Sequence, residues 1–351
     1  MTENVKVIRN RPSTYLYRAA AAHVRAHVTH EKPERAAKEL FGDDAVTDIV
    51  LRAAATSAAI SGTSGWAASL AGVAIYDLVQ TAASLSAAAD VISRGLKLNM
   101  DGIAECRVPG RVLDAAAAGQ WVAEGVAAPV RALSFANDAI LQPRKLQVLT
   151  TYSRELAEHS NIEAIVRQTL GEATGLALDL QMLSADPGDS SKPPGLFADV
   201  APLTPTAGGG TAAMITDVGN LFAALAPHSA GKTAVIIAAL PQAVRLKLTA
   251  GPKFDFDVIA STSLAIGTVA VIEVASFVSG FGSTAEFSTS KVGVIHSEDT
   301  SPTDVTGGTP SPASPVKSLF QIDAIGLKTT LWASWGLRAA GHAQWLQGAT
   351  W

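Results

Sequence analysis

The chain has 351 residues, a net charge of −4 and an apolar content of 48%. That length can bury a sizeable core, in one large or two smaller domains. The weakly acidic balance excludes a polycationic nucleic-acid binder, and a lone cysteine, Cys106, excludes an intrachain disulfide and suits a reducing compartment.

Met1 to Asn10 is polar and charged, unlike a secretion signal. Residues 1–52 carry 9 Lys or Arg and 7 Asp or Glu, against 2 and 2 in residues 53–100. The first segment predicts a separable, charged, largely helical extension, with helices over Tyr15–His30 and Pro33–Arg52. His23, His27 and His30 share one helix face. They read as solvated histidines rather than zinc ligands, because only Glu31 and Glu34 lie near enough to complete a set. Residues 53–76 are uncharged, but their large apolar residues are only Ile60, Trp66, Leu70, Val73 and Ile75, too few for a membrane span.

Asp101–Arg144 is strand-like around Ile103–Pro109 and Gln120–Glu124, on either side of the small-residue tip Ala115–Gly119. The pattern predicts a projecting two-stranded ribbon. Ser153-Arg154-Glu155-Leu156 reads as a helix start rather than a catalytic group. A long helix follows over Asn161–Leu183, opened by a Ser160/Glu163 capping box. Its predicted apolar stripe is Ile162, Ile165, Val166, Leu170, Ala173, Ala177, Leu180 and Leu183. Gly171 and Gly175 share a face at a helix cost of about 1 kcal/mol each, which predicts close approach of another backbone. Asp186-Pro187-Gly188 ends the helix, and Lys192–Phe197 is an extended turn.

Pro- and Gly-rich sequence over 201–211 marks a boundary. Thr216 or Asp217 is expected to cap a helix to Ala226. Thr233–Leu240 predicts a buried strand, Pro241–Leu248 a helix, and Asp257–Ala260 a short strand, with further Val- and Ile-rich strands to Phe277. Residues 297–315 read as a surface loop. Alternation across Phe320, Ile322 and Ala324, then Leu331, Ala333, Trp335 and Leu337, predicts half-buried strands. Trp345 and Trp351 predict a docked C-terminal segment.

Two motifs imitate nucleotide sites. Ala226–Thr233, with Gly231-Lys232-Thr233, matches a relaxed P-loop, but a helix precedes it and a strand follows, the reverse of what phosphate binding needs. Gly280-Phe281-Gly282 follows a strand with no helix after it. Trp332 and Trp335, three apart in a strand, fall on opposite faces and make no continuous stacking platform. No catalytic residue, cofactor site or metal site is predicted.

The ordered series Trp121…Glu124-Gly125, Ser153-Arg154-Glu155-Leu156, the long helix, Pro193-Pro194-Gly195-Leu196, then Ser318, Phe320, Gln321, Asp323 and Gly348…Trp351 resembles tailed-phage major capsid proteins of the Hong Kong 97 type. The resemblance implies an α+β fold. Residues 1–52 would form a charged helical extension of scaffold-like character, 53–100 the N-arm and 101–145 the extended loop. Residues 146–205 and 316–351 would form the peripheral domain with its spine helix, and 206–315 the axial domain. It marks Trp66, Trp121, Glu124, Arg154, Glu155, Gly171, Gly175, Trp335 and Trp351 as assembly or structural positions.

The function so implied is self-assembly through hexamers and pentamers into an icosahedral shell around double-stranded DNA, held without sequence specificity. The implied partners are a portal protein and, in some relatives, a prohead protease, scaffold or decoration protein, with no membrane. The implied location is the virion capsid, assembled in the bacterial host cytoplasm. An encapsulin-like nanocompartment or a gene-transfer-agent capsid would share the fold; a P-loop enzyme using Lys232 is the distant alternative. Some relatives crosslink a ribbon lysine to a neighbour's asparagine. Residues 101–144 contain no lysine, which implies a shell without such bonds.

Overall fold

The computed structural model describes residues 12–44, 46–48, 50–51, 86–110, 121–122, 139–159, 162–229, 231–251, 254–282, 285–296 and 316–351. Most of the expected N-arm, the ribbon tip and the 297–315 loop lie outside them. In chain order the elements begin with helices α1 (Pro12–Thr29), α2 (Pro33–Phe41) and α3 (Ala87–Arg94) and strands β1 (Leu96–Asn99), β2 (Cys106–Val108), β3 (Ala139–Leu141) and β4 (Arg144–Ser153). Next come α4 (Arg154–His159), α5 (Ile162–Met182), α6 (Gly210–Leu225), β5 (Ala234–Ala239), α7 (Leu240–Ala250), β6 (Asp257–Ser261), β7 (Val269–Glu273) and β8 (Phe277–Phe281). The last are β9 (Glu286–Ser290), β10 (Val294–His296), β11 (Val316–Ser318), β12 (Ala324–Leu337) and β13 (Ala343–Leu346). They fall into two compact units, one within 1–78, 146–173 and 283–331, the other within 79–145, 174–282 and 332–351.

In the first unit α1 is the core rather than an appendage. Tyr15, Leu16, Tyr17, Ala19 to Ala22, Val24, Ala26 and Val28 are all buried. A run of alanines lets neighbours close in on every side, so charge count alone misjudges this helix. Arg18 is paired: its Nη1 meets Asp44 Oδ2 at 2.6 Å, and the guanidinium lies 5.0 Å from the Phe41 ring. The expected separability of 1–52 is therefore corrected. The second predicted helix also stops early, at Gly42, whose φ of +72° lies in the left-handed region. His23 and His27 are half-buried, not solvated.

β12 is one 14-residue strand, not two alternating runs. Its first half pairs antiparallel with β9 and its second half with β8, and it is buried on both faces over much of its length. Phe320 and Ile322 lie in an exposed turn just before it, closed by Asp323 at φ +46°.

The second unit is built on the sheet order β13-β7-β5-β6. β5 and β6 are parallel, joined by α7, while β7 pairs antiparallel with β5 and β13 with β7. Every residue of β5 is buried, which explains its unbroken apolar run. β13 comes from the last segment, so residues 343–346 join the sheet expected for the axial domain rather than the peripheral one. β1 pairs with β8 in parallel, on the side of β8 away from β12, and against this pair sits the ribbon base, β2 against β3, through Met100, Val108, Leu141 and Val278. The strand expected at Gln120–Glu124 is thus not the partner of β2; Ala139–Leu141 is.

Candidate functional site: the Asp179 node and the anchored C-terminal segment

Two buried carboxylates organise the second unit. Asp179, on α5, is 3% exposed. It accepts hydrogen bonds from Ser86 Oγ at 2.5 Å, Ala88 N at 2.8 Å, Ala87 N at 3.2 Å and Ser261 Oγ at 3.1 Å. Ser86 in turn caps α3 by accepting from Ala89 N at 3.1 Å. The carboxylate therefore satisfies free amides at the N-terminus of α3, where the helix dipole also favours negative charge. The other end of α3 is held by Arg94, which bonds Asp90 and reaches Asp257 Oδ2 at 2.5 Å. Ser261 and Asp257 are the two ends of β6, so α3 lies along this edge strand and shields it.

Asp217 was expected to cap a helix. It sits instead in the middle of α6, buried, with Trp351 Nε1 donating to its Oδ2 at 2.7 Å and Thr206 N to its Oδ1 at 2.7 Å. α6 starts seven residues earlier than that cap, at Gly210. Gln242 Nε2 donates to the Trp351 backbone oxygen at 2.9 Å, and Gln242 Oε1 accepts from Gly267 N at 3.0 Å. Two further indoles are also committed: Trp335 donates to Pro194 O at 2.9 Å and Trp345 to Val200 O at 2.7 Å, the latter ring stacked 5.4 Å from Phe197. The three tryptophans pin the stretch from Pro194 to Asp217.

The loop after α5 folds back on the helix end. Leu196 N donates to Met182 O at 2.9 Å and Phe197 N to Ser184 O at 3.1 Å. This closes carbonyls that the helix leaves open. Gly195 is required there, since a Cβ would lie 2.1 Å from Ser184 O.

The connection 226–233 runs from α6 to β5, so the P-loop order is absent. Ser229 and Thr233 donate their hydroxyls to the buried carboxylate of Glu273, which fixes this loop to the end of β7. Lys232 lines a shallow open depression with Arg94, Asp255 and Asp257. Among the described residues no group of three His, Cys, Asp or Glu could hold a metal ion, and no helix is long and apolar enough to cross a membrane.

The residues marked from the sequence scatter. Trp66 and Glu124 lie outside the described residues. Trp121 is fully exposed, and Arg154 and Glu155 are exposed at the start of α4, where Ser153 Oγ accepts from Leu156 N. Gly175 is buried on α5; Gly171 faces the Tyr17 hydroxyl, 3.7 Å from where a Cβ would stand, so no backbone presses on it. Trp335 and Trp351 are core residues. The buried row of α5 is Ile162, Val166, Leu170, Thr174, Leu178 and Met182, while Leu176 and Leu180 are exposed. The predicted stripe shares Ile162, Val166, Leu170 and Leu183 with the buried side but includes the exposed Leu180 and leaves out Thr174, Leu178 and Met182. Asp179 was missed as well. Its signal was an acid four residues beyond Gly175 on the buried side of the helix.

Residues 79–246 match the phage capsid family. Solved structures with a similar fold include that described as the satellite phage P4 procapsid including size determination (Sid) protein, at 8% identity and TM-score 0.50, covering 86% of this chain and 96% of that one. A Microbacterium phage Oxtober96 chain is similar at 12% identity and TM-score 0.49, covering 75% and 90%. A virus-like particle from Pyrococcus furiosus is similar at 9% and 0.48, covering 77% and 96%. No curated protein matches the chain. The mixed helix-and-sheet architecture is the Hong Kong 97-type capsid fold. The family match covers just under half of the chain, and the likeness to the solved capsid structures is one of fold.

Proposed function

We propose that the chain is the major head protein of a tailed phage, many copies of which close into an icosahedral shell around double-stranded DNA. The capsid-family match across 79–246, which spans α3, the ribbon base, α5, α6 and β5, carries this reading. On it, the β13-β7-β5-β6 sheet with α6 and α7 is the axial domain, α5 the spine, and β2–β3 the base of the extended loop. The work is assembly, without catalysis or a cofactor. Weak contacts repeated around closed symmetry make the shell stable although each is modest. A net charge of −4 suits an enclosing wall, because counterions neutralise most of the DNA charge. Portal, scaffold, protease or decoration partners and assembly in the host cytoplasm follow from the same reading.

Nuclease protection tests it. Particles purified from producing cells should retain double-stranded DNA after nuclease treatment and release it on disruption. Particles that hold only protein cargo would favour the nanocompartment reading instead.

A further inference from the structure

Helix α7 carries an apolar row that the described residues leave open. Its inner side is committed, with Gln242, Ala243 and Leu246 buried. Leu240, Val244 and Leu248, each four residues from the next, are 50, 48 and 80% exposed. That spacing keeps them in one row along the helix. Arg245 and Lys247 are exposed beside it, with no ion-pair partner among the described residues. Single exposed apolar side chains are ordinary on a surface; an aligned row bordered by unpaired charge is how interfaces are built.

The same unit shows the opposite chemistry at the start of β6. Phe256 is 40% exposed, and its ring is braced by Phe222 and Phe254 at centroid distances of 4.5 and 5.5 Å. Asp255 beside it is exposed and has no ion-pair partner among the described residues. Asp257 is already held by Arg94. One surface thus offers apolar contact with two free cations, and another offers apolar contact with a free anion.

We infer that the outer face of α7 docks on the Asp255–Phe256 corner of a second copy of this chain. Leu240, Val244 and Leu248 cover the neighbour's Phe256, while Arg245 and Lys247 pair with its Asp255. Repeated head to tail, such a contact runs from copy to copy and closes a ring, as the shell reading requires. The charges set register and exclude wrong pairings more than they add affinity. This inference rests on the shell reading and specifies the surface and the partner.

The test uses two variants of the full chain, Arg245→Glu with Lys247→Glu, and Asp255→Lys. All three positions are exposed, so circular dichroism and thermal unfolding should match the native chain. Sedimentation should show that each variant alone needs about tenfold more protein to assemble. An equal mixture should assemble well below either variant's own threshold, because every contact between unlike variants again opposes unlike charges. A five-membered ring of two variants keeps at least one like-charged contact, so the native threshold is expected only of one chain carrying all three substitutions. Leu248→Asp should weaken assembly without being rescued by either. Variants that assemble like the native chain, or a mixture no better than its parts, would overturn the inference and leave the shell reading intact. So would variants that assemble normally but lose a different protein from this face. A native chain that never assembles would overturn the shell reading itself.

Discussion

The indole Nε1 of Trp351 donates to Asp217 Oδ2 at 2.7 Å, tying the last residue to the middle of α6, 134 positions earlier. Both groups are buried, at 2% and 1% exposure, so each satisfies the other where water cannot. Trp351→Ala should cost about 4 kcal/mol through the cavity and the stranded carboxylate. Trp351→Phe should cost less, about 2 kcal/mol, because most of the packing survives. Urea unfolding curves of the three chains measure both. Equal stability of all three would show that the anchor is not structural.

Asp179 should be the most sensitive single polar residue of the second unit. Asp179→Ala removes the acceptor for Ser86, Ala87, Ala88 and Ser261 at once. A loss of about 3 kcal/mol is expected, with Asp179→Asn intermediate. Hydrogen exchange should locate the effect at the amides of α3. A variant whose α3 exchanges no faster would exclude the capping role.

Two glycines should respond oppositely. At Gly171 a methyl group meets only ordinary contact with Tyr17, so Gly171→Ala should stabilise α5 by up to about 1 kcal/mol. At Gly195 the added carbon would overlap Ser184 O, and Gly195→Ala should destabilise by about 3 kcal/mol. Thermal unfolding midpoints decide, and a shift of the same sign for both would contradict the local geometry.

The first unit should weaken in acid. Burial holds His23 below the ordinary histidine value, against the pull of Glu34. Burial also lowers His27, with Lys291 and His30 acting in the same direction. A lowered folded-state pKa means that the unfolded chain binds protons more readily, so stability is full above the ordinary value of 6.5 and falls as pH drops toward the lowered one. Asp44 adds a second loss at lower pH. Burial opposes its ionisation, but hydrogen bonds from Thr47, Arg18 and the Val46 amide outweigh this and hold its pKa down. Denaturant midpoints should therefore fall between about pH 7.5 and about pH 5.5, and His23→Gln with His27→Gln should flatten that fall. An unchanged slope would rule out these imidazoles as its source.

Much of the fold could be read from the sequence, and the failures share a cause. The long helix, the strand-helix-strand run β5-α7-β6 and the docked Trp351 rest on periodicity, a proline at a helix start and costly aromatics, all local signals. Burial imposed by distant partners left no such mark. α1 looked solvent-exposed because Arg18 gave no hint of Asp44. Asp217 looked like a cap because its indole partner lies at the other end of the chain. The partner of β2 was placed too early because small residues at 115–119 resemble a turn. The marked positions followed a family resemblance, and the structure distributes them between core, exposed surface and residues outside those described.

Negative-stain electron microscopy of the purified full-length chain tests the central claim most directly. Closed shells of uniform diameter are expected, sedimenting far faster than a 36.1 kDa monomer. Dispersed particles of monomer size under every salt and concentration condition would contradict it.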